Sequence, residues 1–79
     1  MNSEADDRLV PADLITTERR LARDLTGNGW VKQGEQPAGT VRRSTWKLKT
    51  EGRGEWRLRL AVVAARAGGA RVSMRVRLL

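Results

Sequence analysis

The sequence predicts an α+β fold: one N-terminal amphipathic helix packed on a three- to four-stranded antiparallel meander. Three observations lead there. Apolar residues recur with a helical period over roughly residues 12–26. In three later segments apolar residues alternate with cations, and joints containing glycine separate those segments. With 79 residues the chain makes one small domain, residues 10–79, because a chain this short buries only about 60–65% of its unfolded surface.

Residues 1–9 are polar and acidic without a period, which predicts a disordered arm. In the helix, Leu14, Ile15, Leu21, Ala22 and Leu25 fall on one stripe of a 3.6-residue repeat. Pro11 suits a first helical position, and Asp13 or a Thr at 16 or 17 suits a cap. Gly27, Asn28 and Gly29 end the helix. Trp30–Gln33 reads as a short strand and residues 34–39 as a loop. The strands Val41–Thr50, Glu55–Arg66 and Arg71–Leu79 follow. A five-residue joint, 50–54, sets Lys49 opposite Glu55 and Trp46 opposite Leu58. A three-residue joint, 68–70, sets Ala67 opposite Arg71 and calls for a left-handed Gly.

Parity then separates two faces, since successive strand side chains point opposite ways. Even positions carry Trp46, Leu48, Trp56, Leu58, Leu60, Val62, Val72, Met74, Val76 and Leu78. Odd positions carry the candidate binding residues Arg43, Lys47, Lys49, Arg57, Arg59, Arg71, Arg75 and Arg77. Leu60–Ala65 breaks the alternation and is apolar on both faces. This marks Ala61, Val63 and Ala65 as a candidate protein interface, with a helical turn as the alternative. Because the chain has no Phe or Tyr, Trp46 and Trp56 are assigned to the core and Trp30 to a cap on it, with stacking platforms for unpaired bases as the alternative.

Charge is unevenly spread. Residues 1–24 hold six acids and four bases, whereas residues 25–79 hold twelve bases and three acids. Thirteen of the sixteen bases are Arg, whose planar fork grips phosphate or carboxylate in two places. A basic sheet face fits a polyanion or an acidic protein surface. It also fits a solvated outer face that keeps a small sheet soluble.

With no His and no Cys, Ser–His, Cys–His and thiolate or imidazole metal sites are excluded, as are disulfides. Glu51 and Glu55 flank an exposed turn, and Glu35 lies in a loop. Glu4, Asp6 and Asp7 could weakly bind a divalent cation but lack calcium-loop spacing. The glycine pairs are too short for a phosphate loop, so neither an enzyme nor a cofactor is expected. The longest apolar run, Leu60–Ala65, is far below the ~20 residues of a membrane span, and the N-terminus lacks a secretory h-region. A cytoplasmic, non-membrane protein is the expectation.

Leu14-Ile15, Leu21 and Asn28-Gly29-Trp30-Val31, with Gly34 and two strands after them, resemble the opening of HicA-type toxin ribonucleases over roughly residues 14–60. That family's fold is similar to the double-stranded-RNA-binding domain. The resemblance implies an RNA-binding shape without cleavage, since the catalytic His is missing and the chain ends in a strand rather than a closing helix. Two functions follow as expectations. The first is a non-enzymatic nucleic-acid-binding accessory or regulatory module. The second is a protein-binding inhibitor or adaptor, of the kind that phages and mobile elements encode, docking on an acidic partner. Self-association as a homodimer through the Ala61/Val63/Ala65 patch is a further option.

Overall fold

A computed structural model describes residues 3–50, 52, 54–66 and 68–79. Six elements follow one another: β1 (Ser3–Val10), α1 (Leu14–Gly27), β2 (Val31–Ala38), β3 (Val41–Lys49), β4 (Glu55–Ala64) and β5 (Ala70–Leu78). The strands form one antiparallel sheet in the order β1-β5-β4-β3-β2. The α+β class holds. The sheet has five strands rather than three or four, and the helix lies between two strands instead of leading the fold.

The helix therefore connects opposite edges of the sheet, from β1 to β2. Its 14 residues rise about 21 Å, and four inter-strand steps span about 19 Å. A helix of this length crosses the whole sheet on one side, packing chiefly over β4 and reaching β2. At its start Asp13 is the N-cap, its carboxylate accepting from the Thr16 N–H at 2.8 Å. That bond holds the Asp13 carboxyl below its ordinary pKa, and Arg20 acts in the same direction. At its end the Trp30 N–H donates to the Leu25 carbonyl at 3.0 Å and the Gly29 N–H to that of Thr26 at 3.1 Å. This is a Schellman closure with Gly29 at φ +91°, and it folds Trp30 back onto the core.

Ile15 was expected inside but is 50% exposed; Thr17, at 5%, takes the inward position. The Thr17 hydroxyl donates to the Ala12 carbonyl at 3.2 Å, so its methyl can be buried without orphaning the oxygen. The stripe against the sheet is thus Leu14, Thr17, Leu21 and Leu25, with Ala22 alongside.

Three further expectations are corrected. Residues 3–9 of the supposed disordered arm belong to β1, paired with β5 from Ser3↔Arg77 to Val10↔Ala70, and residues 1 and 2 lie outside the described residues. The supposed loop 34–39 largely belongs to β2, which runs through Pro37 to Ala38 as the other edge strand. An edge position tolerates the missing proline N–H. A bulge between Lys32 and Gly34 switches the parity of β2 midway. Lys32 therefore faces the helix side, while Gly34 and Gln36 join the opposite face.

The first hairpin has the expected register, with Lys49↔Glu55, Lys47↔Arg57 and Trp46↔Leu58. Its Glu51 and Arg53 lie outside the described residues. In the second hairpin Arg71 pairs with Val63, not Ala67, and Ala64 pairs with Ala70, so the connection is the five residues 65–69. Ala67 also lies outside the described residues. Both registers keep like faces together, so parity alone does not choose between them. The observed one buries Ala70 completely beside Val10. The left-handed glycine is Gly68, at φ +92°. A Cβ on Gly69 would collide with the Val10 backbone carbonyl, where β1 ends. Gly69→Ala is expected to lower the melting temperature, at a cost of about 1–3 kcal/mol, because backbone on both sides must shift. Thermal melting by circular dichroism checks this.

The core is the even-numbered face: Trp46, Leu58, Leu60, Val62, Ala70 and Val72 are buried under the helix. Trp46 is 3% exposed, and its indole N–H donates to the Ser44 hydroxyl at 2.9 Å. Val62 is wholly buried, while Ala61 and Val63 beside it, on the other face, are only half-buried. Among the described residues no helix is long and apolar enough to cross a membrane.

Candidate nucleic-acid interface

The face away from the helix is built by register, strand against strand. One row across the sheet reads Lys47, Arg57, Arg77, each directly opposite the next on β3, β4 and β5. The next row reads Thr45, Arg59, Arg75. A third reads Arg43, Ala61, Ser73, flanked by Gln36 on β2 and Asp7 on β1. A fourth reads Val41, Val63, Arg71, Leu9. Adjacent rows on one face lie roughly 7 Å apart and adjacent strands about 4.8 Å apart.

All eight expected cations thus share one face, but not equally. Arg43, Lys47, Arg57, Arg59, Arg75 and Arg77 form a contiguous central patch. Lys49 sits at one end opposite Glu55, and Arg71 at the other end among Val63 and Leu9. All are exposed except Lys47, which is half-buried. Of these eight cations only Arg57 is ion-paired among the described residues, its Nε lying 2.6 Å from Glu55 Oε2. That hydrogen bond depresses the Glu55 pKa; the charges of Arg57, Lys47 and Lys49 act in the same direction. Arg59 faces Arg75 with no carboxylate bridging them among the described residues. Like charges set directly opposite one another destabilise a sheet.

The acids of β1 do little to neutralise this face. Asp7 alone of its described acids shares it, opposite Ser73. Asp6 has the other parity, opposite Met74, and pairs with Arg8 at 3.2 Å. Arg42 lies on the helix side opposite Val62, outside the patch, and its Nε is buried without a hydrogen-bond partner among the described residues.

The central patch is hollowed. Gly34, Thr45, Ala61 and Ser73 form the floor of a concavity of about 600 Å³, and Arg43, Arg59 and Arg75 stand around it. Gln36 and Glu35 also line it, and the Glu35 carboxylate accepts from Lys32 Nζ at 2.9 Å. Thr45 and Ser73 already showed odd parity in the sequence, but without charge they did not stand out. Gln36 and Gly34 were hidden because their segment read as a loop.

No aromatic side chain belongs to this face. Trp46 is buried on the other side with Lys32 Nζ 5.7 Å from its ring centre, and Trp30 packs on the core. Trp56, opposite Leu78, has the same inward parity.

Of the expected protein interface, Ala61 is part of the hollow's floor. Val63 belongs to the neighbouring apolar row with Val41 and Leu9. Ala65 has left the strand and lies in the 65–69 turn. Among the described residues no three His, Cys, Asp or Glu side chains group to hold a metal ion. In comparisons with known proteins, no family model, no curated protein and no solved structure matches this chain.

Proposed function

We propose that this chain is a small non-enzymatic module that binds nucleic acid through the phosphate backbone, using the uncovered cationic sheet face. One observation carries the reading. Lys47, Arg57, Arg77, Arg59, Arg75 and Arg43 occupy adjoining register positions, and Arg57 alone of them is ion-paired among the described residues. Packing so many like charges works against a small fold, and phosphates would relieve it while releasing counterions. Phosphate contacts carry no base information, so binding is sequence-tolerant. Titrating labelled oligonucleotides by fluorescence anisotropy at several salt concentrations tests this. About five contacts give a log–log slope near −4.5 on duplex and near −3.5 on single strands. An affinity indifferent to salt removes the reading.

A second reading, an inhibitor or adaptor docking on an acidic protein, is favoured by the apolar row Val41, Val63 and Leu9 at one end of the same face. Leu9 there is 64% exposed. Val63→Asp separates the two. It lowers a protein partner's affinity under this reading, and leaves oligonucleotide affinity within a few-fold under the first.

A further inference from the structure

We infer that the hollow in the cationic face is a seat for one sugar–phosphate strand of a double-helical nucleic acid, an inference that rests on the nucleic-acid reading above. Its volume of about 600 Å³ exceeds the needs of a single phosphate and falls within the range of small-ligand pockets. The hollow exists because two cross-strand pairs in adjoining rows, Gly34 with Thr45 and Ala61 with Ser73, are all small, while the long Arg43, Arg59 and Arg75 complete the same rows.

The donor set suits a backbone and not a base. Guanidinium groups at Arg43, Arg59 and Arg75 match phosphate oxygens, and the Thr45 and Ser73 hydroxyls can serve sugar or phosphate oxygens. A single strand leaves its bases unstacked, and proteins that hold such strands supply aromatic platforms. This face supplies none, because every indole lies on the helix side. A duplex keeps its bases stacked within itself and offers only its backbone. The surface is thus charged, concave and free of aromatic rings, which complements the ridge of a duplex strand.

The test fills the hollow without touching charge. Ala61→Leu and, independently, Ser73→Val are compared with the wild-type chain on a duplex and on a single strand of equal length, after melting curves confirm folding. The expected result is duplex binding at least tenfold tighter than single-strand binding at one salt concentration. Each filling variant should weaken duplex binding at least tenfold with the salt slope unchanged, since no cation has been removed. Wild-type binding that is equal or tighter on single strands overturns the inference. So does unchanged duplex affinity in both folded variants. Failure of the wild-type chain to bind any nucleic acid sinks the underlying reading instead, and is told apart because it appears before any variant is made.

Discussion

Arg59→Glu is expected to weaken oligonucleotide binding at least tenfold while raising the melting temperature of the free protein. The two effects have opposite signs because Arg59 stands directly opposite Arg75, with no bridging carboxylate among the described residues. Glutamate at 59 turns a repulsive cross-strand pair into an attractive one, worth about 0.5–1 kcal/mol. In a domain this small, that is a rise of several degrees. The same change removes one of the proposed phosphate contacts from the centre of the patch and puts a negative charge beside the hollow. Loss of binding therefore cannot be put down to unfolding. Arg75→Glu should behave alike, and the double reversal should lose the stability gain because two like charges again face each other. Added salt should stabilise the free wild-type protein, by screening the patch, while it weakens the complex. Anisotropy and thermal melting on the same samples decide it. Unchanged affinity in Arg59→Glu would mean that the face is a solvated surface and nothing more.

Trp46→Ala is expected to lose about 3–5 kcal/mol of folding stability, the largest loss among the substitutions considered. The indole is 3% exposed and lies between Leu58 across the strand pair and Lys32 over the ring. Emptying such a site costs about 3–5 kcal/mol, and a 79-residue chain has only about 4–12 kcal/mol in hand. Trp46→Phe should stay folded with a smaller loss, since it keeps most of the volume but gives up the 2.9 Å bond to Ser44. Urea titration followed by circular dichroism measures both variants. Oligonucleotide affinity of Trp46→Phe should match the wild type, which separates a core indole from a base-stacking one. A cooperative, near-wild-type transition in Trp46→Ala would move the centre of the core elsewhere.

Alternation over Val41–Leu79 carried the three central strands and the division into an apolar and a cationic face. It did so because each of those strands is buried on one side and wet on the other. The helix was legible for the same reason, although its stripe was rotated: a buried Thr17 with a satisfied hydroxyl is indistinguishable by type from an exposed one. The edge strands were not legible. Asp6 and Arg8 on β1 face the helix side, where an apolar pattern would be expected, at an edge where water stays close. Their strand state comes from backbone pairing with β5 alone. In β2, glycine and proline read as loop, and only the pairing with β3 and the bulge at 32–34 make a strand of them.

What the residue order determined by itself is local and periodic: where a helix starts and stops, and which side chains share a face of each strand. The rest came from partners distant along the chain. Two registers of the last hairpin preserve the same parity, and the burial of Ala70 against Val10 selects one of them. The hollow exists only once the pairs Gly34–Thr45 and Ala61–Ser73, from four strands, are brought into adjoining rows. Parity assigns a side chain to a face, but only strand pairing decides which residue stands beside it there.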